Sequence, residues 1–252
     1  MPNSSPKLTK IALAVAGLFC CGANPLMAQT VIIGDTGVGV VDVPPNLGVE
    51  TLILGNTASG NGTLNLHVSG IVTIGSSAAG QLIIGNEGSG TIVMQGGTLD
   101  ILNSDINVNA FIIGNQGTGS GLFQQSGGTV TSARQLQLGN DAGSQGVYLL
   151  SGDGVLNAPL ITVGFNGYGS FAQSGPNTMV NASGGLFIGA TGSLASPGGD
   201  YSLNEGQLAV GGLGTILGTA GGGYFTHLAG THDTTTLVIG NSAGAEGGYN
   251  FQ

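Results

Sequence analysis

Short aliphatic runs that close on a glycine recur along the whole chain. They end at Gly34, Gly55, Gly85, Gly114, Gly139, Gly164, Gly189, Gly211 and Gly240, in steps of 21, 30, 29, 25, 25, 25, 22 and 29 residues. Punctuation near every 25 residues marks a repeat architecture. Between the marks, apolar and polar positions alternate with the period of two that belongs to a half-buried strand.

The unit over residues 111–138 shows the grammar. Phe111-Ile112-Ile113-Gly114-Asn115 reads as a strand ending in a turn, and Gln116-Gly117-Thr118-Gly119-Ser120-Gly121 as a polar glycine loop. Leu122-Phe123-Gln124-Gln125 is a second strand, Ser126-Gly127-Gly128 a tight turn, and Thr129-Val130-Thr131 a third strand before Leu136-Gln137-Leu138-Gly139 opens the next copy. Aromatic and β-branched residues favour strands, and glycine pairs break them. Val147-Tyr148-Leu149-Leu150 and Ser170-Phe171-Ala172-Gln173 repeat the second strand; the stretch 55–85 is less regular and holds an extra Ile74-Gly75 step.

Three short strands cannot bury an apolar face alone, whereas stacked copies share a continuous core. The predicted fold is therefore all-β: a right-handed parallel β-helix or β-solenoid with repeats of about 25 residues. A β-propeller or an up-and-down barrel is the alternative, and propeller blades need about 40 residues, which the period argues against. Neighbouring coils would stack at about 4.8 Å. Ile33, Leu54, Ile84, Ile113, Leu138, Val163, Ile188, Val210 and Ile239 are expected to form one interior column, and Phe123, Tyr148 and Phe171 a short aromatic stack.

The aliphatic-x-aliphatic-Gly-Asn element, the Gly-x-Gly loop and the aromatic-x-Gln-Ser-Gly-Gly turn, together covering residues 31–252, carry a family resemblance. The repeat is similar to that shared by type V secretion (autotransporter) passengers and PEP-CTERM exported proteins of Gram-negative bacteria. That resemblance implies a solenoid on the cell exterior, with no particular ligand or reaction. The sequence up to Gln252 shows neither a membrane-barrel domain nor a PEP-type sorting tail. Gly247-Gly248-Tyr249-Asn250-Phe251-Gln252 matches a second strand without its turn, so the solenoid domain, residues 29–252, is expected to be truncated at its C-terminal end.

Composition sharpens this picture at the N-terminus. Lys7 and Lys10 precede an apolar run of about eleven residues, Ile11 to Cys21, and Leu26-Met27-Ala28 is a plausible cleavage site. Residues 1–28 are thus expected to be a secretory signal peptide. Cys20 and Cys21 lack the preceding small residues that lipidation needs. Removing this segment takes both cysteines and both lysines, leaving Arg134 against twelve Asp and Glu, a formal charge of −11. Nucleic acid is excluded as a partner, because phosphate binding needs a basic surface. No transmembrane helix is expected in the mature chain.

Candidate chemistry is sparse. Asn56, Asn86, Asn115, Asn140 and Asn241 follow the repeat glycine, with Asn166 displaced by one. They read as turn residues able to stack as an amide ladder, or as a polar ligand strip. His227 and His232-Asp233 are the nearest approach to a metal cluster, with His67 remote, but zinc needs three or four convergent ligands. Asp100 and Asp105 offer oxygen for calcium without the glycine-aspartate nonapeptide of calcium-binding β-rolls. Asp100, Asp141 and Asp153 are scattered carboxylates for a glycosidase, which needs two at a set separation. No catalytic, cofactor-binding or metal residue is assigned, and no cofactor is expected. The predicted role is structural or adhesive at the bacterial cell surface or outside it, toward host or matrix glycans, proteins or other copies of the chain. A polysaccharide-acting enzyme on the same scaffold and an inert stalk are the alternatives.

Overall fold

The computed structural model describes residues 28–43, 46–75, 80–103, 110–190 and 198–252. The expected signal peptide up to residue 27, and Asp105, lie outside the described residues. Among the described residues the regular structure is entirely β, with 23 strands, and no helix there is long and apolar enough to cross a membrane. The strands pair in parallel, each with its counterpart one coil away, which is the arrangement of a β-solenoid.

Each coil contributes to three ladders. The first holds the aliphatic-glycine strands, such as Gln81–Ile84, Phe111–Ile113 and Leu136–Leu138. The second is a 9-stranded sheet running from Val38–Asp42 through Ser120–Gln125 to Glu246–Phe251. The third includes Thr98–Ile101, Thr129–Ser132 and Gln207–Val210. The third ladder of one coil runs directly into the first ladder of the next in Asn46–Leu54, Val155–Val163 and Met179–Ile188. Side chains alternate inward and outward, so Leu64, Ile92, Met94, Leu99 and Val130 are buried while their neighbours reach the surface.

The interior aliphatic column forms as expected, with one correction and with Ile239 keeping the register while 48% exposed. Ile188 pairs with Leu217, and Leu217 with Ile239. Val210 belongs instead to the third ladder, between Ala182 and Thr234. The register mark is therefore Gly218, not Gly211. The backbone explains why. Gly34, Gly55, Gly85, Gly114, Gly139, Gly164, Gly189, Gly218 and Gly240 all take the left-handed conformation, with φ between 65° and 73°, and Gly211 does not. That conformation turns the chain out of the first ladder, and a side chain disfavours it.

A second glycine column stands inside the second ladder. Gly39, Gly62, Gly90, Gly121, Gly146, Gly169, Gly199, Gly223 and Gly247 pair in unbroken register. A Cβ on Gly121 would meet the Ile84 carbonyl of the preceding coil and lie 2.7 Å from the Gly114 nitrogen of its own coil. The two glycine columns pack back to back at one corner, where backbone replaces side chain. For this reason Ser120-Gly121, which reads as loop, is the start of the strand.

The aromatic stack is longer than its three expected members. Phe123, Tyr148, Phe171, Tyr201, Phe225 and Tyr249 stack in sequence, with centroids 4.8, 4.8, 4.7, 5.0 and 4.9 Å apart. Phenylalanine and tyrosine alternate, and the inward position two residues on alternates with them. Gln125, Gln173 and His227 follow the phenylalanines; Leu150, Leu203 and Phe251 follow the tyrosines. The Tyr148 hydroxyl donates to Gln125 Oε1 at 2.6 Å, and that of Tyr201 to Gln173 Oε1 at 2.7 Å. Burial pushes both phenols well above their ordinary pKa, so they stay protonated donors. A buried hydroxyl needs a partner, and the coil before each tyrosine supplies it. The true structural repeat over residues 120–251 is thus a pair of coils.

Candidate functional site

The asparagines after the register glycines form a file along one corner. Asn56 Nδ2 donates to Asp35 Oδ1 at 2.8 Å, Asn86 to Asn56 at 3.0 Å, Asn115 to Asn86 at 2.7 Å and Asn140 to Asn115 at 2.9 Å. The parallel register sets one side chain above the next, and each amide passes one hydrogen bond along the stack. The file stops where Phe165 follows Gly164. Ala190 and Thr219 occupy the same position further on, so Asn241 is separated from it. The amides spend their hydrogen bonds on each other, which is the ladder reading of the sequence. Replacing Asn115, which is buried, with alanine strands the facing groups of Asn86 and Asn140. The expected loss is about 1–3 kcal/mol, seen as a lower unfolding midpoint and faster amide exchange in the adjoining coils.

The outer face of the second ladder carries the exposed chemistry. In its C-terminal half, the Tyr168 hydroxyl donates to Asp200 Oδ2 at 3.0 Å, and the Tyr224 hydroxyl to Glu246 Oε2 at 3.0 Å. Burial, then Asp200, raises the Tyr168 pKa; the hydrogen bond to Glu246 raises that of Tyr224. Tyr224 is 47% exposed. These pairs cross adjacent coils and fix aromatic rings beside carboxylates on a surface of parallel strands. Aromatic bodies with polar tips are well suited to contact a partner.

The histidines of the last coils converge, though not with Asp233. His227 occupies the glutamine position of the alternating pattern and does a glutamine's work. Its Nε2 lies 3.2 Å from the Gly230 carbonyl, and its Nδ1 lies 2.9 Å from the Tyr249 hydroxyl. The network assigns the proton to Nε2, leaving Nδ1 to accept from Tyr249. His232 takes an inward position that pairs with Leu208, and stacks on Phe225 at 4.8 Å. Its Nδ1 is 3.2 Å from the Tyr249 hydroxyl and its Nε2 2.9 Å from Thr215 Oγ1. Among the described residues no three His, Cys, Asp or Glu gather as a metal cluster.

Burial first, then His227, lowers the His232 pKa from 6.5 to about 4, against a small opposing pull from Asp233. The unfolded chain therefore takes up a proton on this imidazole before the folded chain does. Its contribution to stability is complete above pH 6.5 and is lost as pH falls toward 4. Residues 231–251 are expected to lose amide-exchange protection over this window, after correction for intrinsic rates. His232→Leu, which restores the aliphatic residue of the other coils, should remove that acid step. An unchanged step in the variant would place the titrating group elsewhere.

The remaining candidates are not brought together. Asp100 sits in the third ladder between Thr73 and Thr131. Asp141 lies exposed in the corner after Asn140, and Asp153 is exposed in the turn before the third ladder. His67 is exposed, 3.8 Å from Asp42 Oδ1 and 3.4 Å from Gln95 Oε1. Arg134 is half-buried, and its backbone N–H lies 3.3 Å from Ser132 Oγ. No protein family, curated protein or solved structure matches this chain.

Proposed function

We propose that the chain is an exported structural or adhesive protein of the Gram-negative cell surface, comparable to an autotransporter passenger. The observation that supports this reading most is the unbroken parallel register of the second ladder, from Val38 to Phe251. Such a stack is a stiff support whose every turn presents polar groups outward, and each coil is held by its neighbours rather than by a closed globular core. The acidic mature chain favours solubility outside the cell and neutral or cationic partners. The apolar run before Ala28 supplies the export signal.

The role is spatial: the solenoid holds tyrosines, carboxylates, amides and hydroxyls in a repeating array, and many weak contacts add up along it. The location is tested by adding protease or a chain-specific antibody to intact producing cells. Cleavage or labelling without permeabilisation is the expected result. Complete protection until the cells are opened would contradict the surface reading.

A further inference from the structure

A second amide file runs down the outer face of the third ladder, and it is broken at one point. Asn157 pairs with Asn181, Asn181 with Ala209, and Ala209 with Asp233. Asn181 Nδ2 donates to Asn157 Oδ1 at 2.8 Å. The oxygen and nitrogen of an amide diverge, so Asn181 Oδ1 faces the coil of Ala209, where no amide stands to meet it. The small side chain of Ala209 and the bare backbone of Gly211 open a notch of about 370 Å³ between Asn181 and Ser183 on one side and Asp233, Thr234 and Thr235 on the other.

The lining of this notch is mostly apolar, with acceptors at its edges. Asn181 presents its amide oxygen and Asp233 its carboxylate. Thr235 Oγ1 donates to the Gly212 carbonyl at 3.3 Å, which leaves its lone pairs for a guest. Ala209 and the aliphatic carbons around it provide an apolar floor. A guest that fits must supply several hydrogen-bond donors, carry positive charge toward Asp233 and present some C–H surface. The residues that follow the expected signal peptide hold one Lys or Arg against twelve acidic residues, which favours the same sign of guest.

We propose that this notch binds a primary ammonium group carried on an amino sugar, within a partly de-N-acetylated glycan. The ammonium lies between Asn181 Oδ1 and Asp233 and completes the interrupted file. The sugar hydroxyls meet Thr235 and Ser183, and a ring face lies over Ala209. A lysine side chain would bring one polar head and leave the hydroxyl-bearing rim unused. The assignment rests on the adhesive reading above and names a partner class for it.

The test is a titration of the full chain in low salt at about pH 6, followed by backbone amide shifts, with glucosamine tetramer, its fully N-acetylated counterpart and a tetralysine peptide as probes. The glucosamine tetramer should shift Asn181, Ala209 and Asp233 saturably and bind at least about tenfold tighter than the acetylated form, a difference of about 1.4 kcal/mol. Asp233→Asn should weaken it by about tenfold or more, the scale of a lost charge-assisted contact. Ala209→Asn extends the amide file through the gap and should abolish binding while leaving the fold's circular dichroism unchanged. Equal affinity for the acetylated tetramer, or undiminished binding by Ala209→Asn, would overturn the site. Tetralysine binding as tightly as the glucosamine tetramer would overturn the assignment to a sugar. The titration uses purified chain, so its failure leaves surface location and adhesion to other partners standing.

Discussion

Alanine at Gly114 is expected to unstack its coil, at a cost of about 4 kcal/mol or more, in the range reserved for severe core lesions. Two effects combine there. Gly114 has φ 73°, which alone costs a residue with a Cβ about 1–3 kcal/mol. The added Cβ would also press into the Gln145 carbonyl and the backbone of the next coil, and backbone held in a parallel ladder cannot move aside without breaking register. Two other glycines separate the contributions. Gly117 has φ 52° with nothing within 4 Å of a Cβ, so Gly117→Ala should cost only about 1 kcal/mol. Gly121 has no left-handed φ but no space, so Gly121→Ala reports the steric effect alone. Denaturant midpoints and amide exchange give the ranking, with Gly114 the most damaged and Gly117 the least. Exchange matters because stacked repeats can open locally rather than as one unit. Equal damage at Gly114 and Gly117 would show that backbone conformation, not close stacking, is what the glycine provides.

Cutting the aromatic column ranks second. Tyr148→Ala should cost about 3–5 kcal/mol, because it removes a fully buried ring stacked on Phe123 and Phe171 and leaves a cavity. The alternation of coils makes finer predictions. Tyr148→Phe keeps the stack and strands only Gln125 Oε1, at a cost of about 1 kcal/mol. Gln125→Leu should cost more, about 1–3 kcal/mol. It leaves the Tyr148 hydroxyl buried without its acceptor and also removes the donor to the Gly128 and Val155 carbonyls at 2.9 and 3.1 Å. Thermal unfolding of the three variants tests the order Ala, then Leu at 125, then Phe. A Gln125→Leu variant as stable as the parent would dissolve the two-coil unit.

The one-dimensional features of this fold were legible in the sequence. The alternation of apolar positions and the left-handed glycines placed three strands per coil and eight of the nine column residues. Val210 was the exception, and its misplacement has a physical source. Strands of both the first and the third ladder end at corners, so Ile74-Gly75 and Val210-Gly211 spell the same aliphatic-glycine text as a true register mark. Spacing does not separate the two, since either choice leaves steps of 22 and 29 residues, whereas the left-handed turn lies at Gly218. The inward glycine column is not legible in the sequence because glycine in so glycine-rich a chain reads as loop, and only the close approach of backbones shows what Gly121 does.

The candidate sites were less legible because they depend on which residues share a column, and unequal loop lengths hide that. Gln125, Gln173 and His227 align only after the coils are registered. So do Asn157, Asn181, Ala209 and Asp233, whose gap is visible as a missing tooth in a row. His227 and His232 are legible as a pair, but not their meeting at Tyr249, which lies one coil beyond His227 in the second ladder.

The central claim is that this solenoid works through its outer surface. It is tested most directly by presenting the full, folded chain to an array of glycans and extracellular matrix proteins. The predicted result is saturable binding to a defined subset, richest among amino-sugar glycans, retained by Asn115→Ala and lost when the chain is unfolded by denaturant. Background signal on every surface with the folded chain would contradict adhesion and leave a stalk.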